Sequence, residues 1–591
     1  MSEPTIRASS PQIPSKPLEA LGFAPPQPRP APVPAPAAPR NAPVDTFVAA
    51  KADAAQAPKP HEVDQKRFLE ATADFRRLLT QGRELEAKIA TLPEGSPDLP
   101  KLKEQLSKAD TDLKAQTGYS LATVPKPGEL WIDPTQMKGM LKDGKLDPKM
   151  FPTKAAVTKP PSPEDSLFAG GRTLTVRTEG GKDLTFKNAD EYKKYVAEAR
   201  TKAGMPALDG KPVGVHLVME GGGGLGKRYG AATSQMLELG VVPTSLAGTS
   251  AGSIAASLIA AGADPVSAEK FMKSVDLKGN LSDAKAFDTF DQALRELTGI
   301  KDRPVTFADL KIPLQVTAAQ NMKTPMVFSQ ETTPQTPVAL AVRASMSIPS
   351  FGGLAPVSYT PVRVVDPTTG QQRELTDGGT ADNFPLGSRN HGLPTVGLAL
   401  AELNTANPAS RGFASGFYPV ADDLPARSKP KEGQFVLSVP TWDLTQPNQA
   451  NDVWKFAYTD LDKKLDGQTR QVTQDFFAKT LEDVATNPRA KAANITTELP
   501  KKLEFDRKVV VDGVEYQAKH SGEAGRRTLT GTYLPVTFTR ADGQGQPIRA
   551  EVERSKLGAM WLDDKAFGHL EDQLRLLLEP ELAKAARKKA S

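Results

Sequence analysis

The chain has 591 residues, 38% of them hydrophobic, which is enough for a sizeable core and, by length, roughly three or four domains. Its 75 basic and 70 acidic residues leave a net charge of only +5, so there is no electrostatic footprint for nucleic acid. With 0 cysteines thiolate chemistry is excluded, and the 5 histidines have no spacing that would support a zinc site. No apolar stretch approaches the roughly 18 residues of a transmembrane helix. Met1–Ser15 also lacks the apolar centre of a cleaved signal, so any membrane contact is expected to be peripheral.

Residues 1–60 are rich in Pro, Ala and Ser, with the run Pro30 to Pro36 alternating proline and small residues. Such a segment cannot bury enough apolar surface to order itself. From 61 to 118 the pattern becomes helical. Phe68, Phe75, Leu78, Leu79, Leu85, Ile89 and Leu92 recur on one side, Pro93 to Pro100 interrupts, and Leu102, Leu106 and Leu113 resume, which predicts a helical hairpin. Residues 119–210 read as a linker, followed by a β-hairpin in which Thr173–Arg177 and Leu184–Phe186 flank Gly180-Gly181, and a helix from Ala189 to Lys202.

The region 211–437 carries the chemistry. Val215–Met219 is a short apolar run that reads as a buried strand, and Gly221-Gly222-Gly223-Gly224-Leu225-Gly226 follows at its end. Backbone N–H groups can crowd one point in such a loop, which is what an oxyanion needs. Downstream, Gly248-Thr249-Ser250-Ala251-Gly252 precedes an alanine-rich helix over Ser253–Ala261, the pattern of a tight turn that exposes a serine hydroxyl. Ser250 is the candidate nucleophile. A lone G-x-S-x-G is weak in a glycine-rich chain. Gly221, Gly223 and Gly226 also satisfy a dinucleotide-binding spacing, but Gly248 and Ser250 stand where the ribose-binding acid should be. For a base, His216 lies inside the predicted strand as a core residue, and His391 follows the serine in the order that an acid–histidine pair would require. Asp377, in Asp377-Gly378-Gly379, is the other candidate. An Asp-Gly turn is common, yet two glycines leave one side of the carboxylate open.

Loops over 406–433 are expected to close this region, and 438–591 forms an accessory α+β domain. Trp454, Tyr458, Leu461 and Leu465, then Val472, Phe476, Thr480 and Val484, mark two amphipathic helices. Residues 503–555 alternate like strands around Asp512-Gly513 and Asp542-Gly543, and Trp561–Leu578 is a last helix. Its apolar positions Phe567, Leu570, Leu574, Leu577 and Leu578 are followed by the basic Lys584, Arg587, Lys588 and Lys589. That arrangement suits an anionic membrane surface, and equally a stripe packed into its own domain.

The glycine loop, the G-x-S-x-G turn and the distant Asp-Gly-Gly occur in an order that resembles the patatin-like phospholipase family. Ala344–Pro349, Pro356-Val357, and Asn383 with Pro385 also look like the segments around that family's aspartate. The resemblance implies an α/β fold, a three-layer α/β/α catalytic domain, with a Ser–Asp dyad and no chemical cofactor. Residue by residue it makes Ser250 the nucleophile, Asp377 the general base and Gly222, Gly223 and Gly224 the oxyanion hole. One position departs: Leu225 stands where the family usually has Arg or Lys, and Lys227 and Arg228 follow too late to point the same way. In architecture the chain is most similar to the ExoU-type cytotoxins that bacteria inject into host cells. That implies a lipolytic acyl hydrolase acting on membrane phospholipids, a secretion signal and a chaperone contact in the N-terminal region, and a host activator such as ubiquitin. The alternative is a non-catalytic membrane- or partner-binding protein on the same scaffold, for which Leu225 speaks. Retention of Ser250, Asp377 and both glycine motifs speaks for catalysis, because a strained turn has no other physical use.

Overall fold

A computed structural model describes residues 60–553 except 136–139, 151–154, 169, 179–180, 275–282, 350–358, 402–429, 444–445, 451–457, 487–492, 496–503, 522–525 and 529–530, and beyond them Leu574, Arg575 and Leu578. The segment expected to hold a secretion signal, Pro356-Val357, most of the closing loop and the basic tail lie outside the described residues.

Three helices open the described chain: α1 (Pro60–Ala71), α2 (Ala73–Thr91) and α3 (Leu99–Thr117). Gly118 ends α3 in the left-handed conformation, where a side chain would be strained. Phe68, Phe75, Leu78, Leu79 and Leu113 are buried against Tyr119, Leu121, Val124, Leu130 and Ile132. The expected linker is therefore part of this packing, at least through Met150. Its low periodicity hid it, because its burial comes from distant partners. Ile132 and Val365 exchange backbone hydrogen bonds of 3.0 and 2.8 Å, which covers the free edge of the central sheet.

A hairpin of β1 (Leu174–Arg177) and β2 (Asp183–Phe186) precedes α4 (Ala189–Lys202), whose Asn188 cap accepts the Glu191 N–H. The central sheet then uses β3 (Val213–Met219), β4 (Val241–Thr249), β5 (Leu314–Gln320), β6 (Thr324–Ser329), β7 (Val362–Val365), β8 (Gln372–Asp377), β9 (Thr395–Ala401), β10 (Gln434–Pro440) and β11 (Ala493–Ile495). Their order is β11-β10-β9-β3-β4-β5-β8-β7, with β6 also on β5. The strands from β11 to β5 are parallel, while β6, β7 and β8 run antiparallel to their partners. The expected α/β fold is thus present as a mixed sheet. Its parallel strands are largely apolar, as burial on both faces demands; every residue of β4 is buried.

One face of the sheet shares a single core with six helices: α5 (Tyr229–Glu238), α6 (Ala251–Ala261), α7 (Pro265–Ser274), α8 (Asp283–Thr298), α9 (Val338–Ser345) and α10 (Asp460–Thr486). On the other face Val218, Ala247, Ala399 and Val436 meet Phe384 and Leu386. Helix α10 corrects the expectation of two helices after residue 450. It runs 27 residues without a break through Gly467, because Leu465, Val472, Phe476, Phe477 and Leu481 all bury on one side. It packs on the central core, and β10 pairs with β11, so the central sheet and its core continue past residue 437.

Strands β12 (Glu504–Val511), β13 (Val514–Ser521), β14 (Arg526–Thr528), β15 (Gly531–Arg540) and β16 (Ile548–Glu553) form a separate antiparallel sheet. Leu574 is buried in its core beside Val511 and Phe538, with Leu578 packed against it. The described part of the C-terminal apolar stripe therefore follows the internal reading and not the membrane-facing one.

Because α10 is core and not appendage, Phe476→Ala should destabilise the central unit by about 3–5 kcal/mol. Urea unfolding followed by tryptophan fluorescence checks this; an unshifted main transition would show that α10 folds apart from the sheet.

Candidate active site

The site forms where two strands meet end to end. Strand β6 pairs along the whole of one edge of β5, from Gln315 to Gln320. The other edge is shared: β4 covers it as far as Thr249 opposite Thr317, and β8 arrives from the opposite direction with Asp377 opposite Ala318. Residues far apart in sequence are thus delivered to consecutive positions of one strand.

Ser250 is the single residue between β4 and α6, with φ 49° and ψ −121°. This is a conformation that a non-glycine residue holds only under constraint. Its backbone N–H donates to Ser345 Oγ at 2.8 Å, and that hydroxyl donates to the Thr317 carbonyl at 2.5 Å. The Ser250 Oγ donates to Asp377 Oδ2 at 2.8 Å. The other Asp377 oxygen accepts the Gly379 N–H at 2.8 Å, and the Asp377 N–H donates to the Ser347 carbonyl at 2.8 Å. Only 3% of Asp377 is exposed. Burial pushes its pKa up to about 7, against the opposing effect of the Gly379 and Ser250 hydrogen bonds.

The glycine loop presses on this turn. A Cβ on Gly226 would lie 2.8 Å from the Cβ of Ala251, and one on Gly252 would lie 2.2 Å from the Met219 carbonyl oxygen, so a side chain at either position would force the loop and the turn apart. The Gly221 N–H is used by the Asn383 carbonyl and the Leu225 N–H by that of Gly222, both at 3.0 Å. Among the described residues no partner takes the N–H groups of Gly222, Gly223 and Gly224. Chemically, the arrangement offers a hydroxyl bonded to a buried carboxylate, with unspent backbone donors on the adjoining loop.

The histidines are elsewhere. His216 is buried, with Nδ1 2.9 Å from Ser245 Oγ and Nε2 2.8 Å from Ser388 Oγ; burial pushes its pKa down to about 3, so it is a neutral core residue. His391 lies beside Glu331, Nδ1 to Oε1 4.0 Å, and makes no described contact with Ser250. The bond from Ser250 to Asp377 takes the place that the histidine alternative required. Leu225 is buried in the central core, and Lys227 and Arg228 turn inward to Asp462 and Asp466 of α10. The sequence reading missed Glu220. It is fully buried at the end of β3, and its carboxylate accepts Asn383 Nδ2 at 3.1 Å and the Leu400 N–H at 2.7 Å, tying the loop to its neighbours. One acid before a glycine run gave no signal of this. Among the described residues no cluster of three or more His, Asp or Glu could hold a metal ion, and no helix is long and apolar enough to cross a membrane.

The raised pKa of Asp377 makes a stability prediction independent of any reaction. From its ordinary 3.8 up to about 7 the native state keeps a proton that the unfolded chain has lost, so stability falls with rising pH across that window. Relative to wild type, Asp377→Asn should gain about 1.4 kcal/mol per pH unit between those values and nothing further above them. Denaturant titrations of both proteins at several pH values test it; a pH-independent difference would contradict the burial of this charge.

Residues 217–388 match the patatin-like phospholipase family model, which is well under half of the chain. Among solved structures, VipD from Legionella pneumophila is similar at 14% identity, over 55% of this chain and 76% of that one, with a TM-score of 0.30. The type III effector protein ExoU is similar at 15% identity, over 47% of this chain and 54% of that one, with a TM-score of 0.29. ExoU in the ExoU–SpcU complex of the Pseudomonas aeruginosa type III secretion system gives 17%, 46%, 52% and 0.27 for the same quantities. The chain thus spans about half the length of the ExoU chains. No curated protein matches it. The family match falls on the strand, glycine loop, serine turn and Asp-Gly-Gly segment built up above, and over residues 217–388 the chain matches a patatin-like phospholipase domain.

Proposed function

We propose that this protein is a lipolytic acyl hydrolase that cleaves ester bonds of membrane glycerophospholipids, with Ser250 as nucleophile and Asp377 as its general base. The observation that carries the reading is the 2.8 Å hydrogen bond from Ser250 Oγ to Asp377 Oδ2 on a strained turn. As Oγ attacks the ester carbonyl its proton passes to Asp377. The carbonyl oxygen takes up the negative charge, and the N–H groups of Gly222, Gly223 and Gly224 act as the oxyanion hole. The tetrahedral species collapses with loss of the alcohol, which leaves with the proton from Asp377. Water then attacks the acyl-serine, gives a proton to Asp377, and the fatty acid departs as Ser250 recovers its hydrogen. A carboxylate with a pKa near 7 is a stronger base than an exposed one and is about half ionised at neutral pH.

The finer setting rests on sequence resemblance. In that reading the protein is a bacterial effector that works inside a host cell, peripheral to membranes. Its N-terminal region is bound by a secretion chaperone, and a host protein such as ubiquitin activates it.

Fatty-acid release from glycerophospholipid vesicles, with and without added ubiquitin, is the direct test. Ser250→Ala and Asp377→Asn should each lower the rate by at least about 10³-fold in folded protein. A near-normal rate for Asp377→Asn together with a dead His391→Ala would replace the dyad by a histidine base. On a soluble ester, kcat/KM should fall about tenfold per unit as pH drops below about 7, because only the ionised Asp377 accepts the proton, and should level off above it. A flat profile across that range would remove Asp377 from the role.

A further inference from the structure

Two basic residues close the glycine loop, and neither faces solvent: Lys227 is 3% exposed and Arg228 0%. The Arg228 guanidinium is held through both terminal nitrogens, while its buried Nε has no partner among the described residues. Nη1 donates to the Asp462 backbone carbonyl at 2.6 Å and to Asp466 Oδ1 at 2.7 Å, and Nη2 donates to Asp462 Oδ1 at 2.6 Å. Lys227 Nζ lies 3.2 Å from the same Asp462 oxygen. Both acids belong to the start of α10, outside the family match of 217–388. Asp462 also builds that helix start. The Thr459 N–H and Oγ1 donate to Asp462 Oδ2 at 2.6 and 2.7 Å, and the Asp462 N–H donates back to Thr459 Oγ1 at 3.3 Å, a reciprocal cap. Asp466 is further fixed by Lys273 of α7, Nζ to Oδ2 3.3 Å.

A buried ion pair is a poor source of stability, since desolvation takes back most of what attraction returns, and an apolar pair of the same size would serve the fold as well. What the charged pair adds is direction. A planar fork bonded at both ends fixes the chain that carries it in a way that packing alone does not. That chain is the short 3-10 segment Gly223–Arg228, whose opposite end carries the unspent N–H groups. A misplacement of about 1 Å at a reacting centre can cost about 10²-fold in rate, so the setting of this segment matters.

We propose that Asp462 and Asp466 are positioning residues for the glycine loop, holding the N–H groups of Gly222, Gly223 and Gly224 in place through Arg228 and Lys227. The proposal rests on the acyl-hydrolase reading for its consequence, although not for the anchoring itself. It makes the domain's chemistry conditional on the first turns of a helix beyond the family domain.

The test uses the full chain with Asp466→Asn, Asp466→Glu and Arg228→Lys. Asp460→Asn serves as the control on the same helix, its side chain being 96% exposed. Hydrogen–deuterium exchange of a peptide over residues 221–230 reads the anchoring without substrate. Hydrolysis of p-nitrophenyl butyrate reads its consequence. In Asp466→Asn and Arg228→Lys, exchange over 221–230 should rise at least about tenfold with β3 unchanged, and kcat should fall about 10²-fold, comparable to losing one oxyanion donor, with KM within about twofold. Asp466→Glu should recover most of the rate, and Asp460→Asn should match wild type. Unchanged exchange over 221–230 overturns the anchoring, and faster exchange with an unchanged kcat overturns the positioning role. If β3 also exchanges faster in Asp466→Asn, that variant has lost its fold and Arg228→Lys decides. A wild type that fails to hydrolyse the ester both with and without added ubiquitin, or a Ser250→Ala variant that still does, defeats the acyl-hydrolase reading, and the exchange result still decides the anchoring.

Discussion

The shared edge of β5 is the constraint on which the rest of the site depends. Most strands have one neighbour on each side, but this edge takes two in succession. Strand β4 leaves at Thr249 opposite Thr317, and β8 ends at Asp377 opposite Ala318. The separation between Ser250 and Asp377 is therefore set by ladder hydrogen bonds on a common strand, which are short and mutually reinforcing, and not by the reach of loops. Both chains must turn away at the point where they would collide. The sharp turn at Ser250 and the Asp-Gly-Gly turn at Asp377 are the two solutions to that collision.

Each solution is costly alone. Ser250 holds φ 49°, and Asp377 is a carboxylate with almost no water around it. Helix α9 and the residues just after it offset both. Ser345 satisfies the Ser250 N–H and returns its own proton to Thr317 of β5, while the Ser347 carbonyl holds the Asp377 N–H. Strain and burial are thus braced by the same short stretch of chain. The burial that makes Asp377 expensive also raises it toward neutrality, which is what a base for a serine hydroxyl needs. In the proposed dyad a better solvated aspartate would stabilise the fold and weaken the base.

What could be read from the sequence was whatever is encoded locally. The apolar run Val215–Met219, the glycine loop and the alanine-rich segment after Ser250 declare strand, loop and helix within a few residues, and the structure has β3, the 3-10 segment and α6 there. Asp377 was legible only as an Asp-Gly turn, common in any chain, because its meaning lies in the order of β4, β5 and β8. Helix α10 looked like two helices because its apolar positions thin out around Gly467, yet Leu465 and Val472 bury on either side of it and carry the helix through. The segment from Tyr119 to Met150 has no period to detect. Its burial is decided by α2, α3 and the edge strand β7 (Val362–Val365), which no local window contains. Glu220 was invisible for a related reason: a single acid next to glycines is usually solvated, and only the fold surrounds it with Asn383 and Leu400.

Leu225 shows how a departure from a family pattern can be absorbed by the fold. Where relatives in the resembled family carry a basic side chain, this chain puts a leucine into the central core, and the positive charges move on to Lys227 and Arg228. Those two charges face two carboxylates, Asp462 and Asp466, at 2.6 to 3.2 Å, so the anchor adds little net field at the neighbouring loop. In the proposed reaction the oxyanion is then stabilised by backbone dipoles, with Lys227 and Arg228 already paired. Such donors are effective only when their orientation is fixed before charge develops, since their contribution falls steeply with distance and angle. A loop that relies on N–H groups alone needs a stiffer mount than one with a cation to spare, and the buried fork of Arg228 between the first turns of α10 is a mount of that kind.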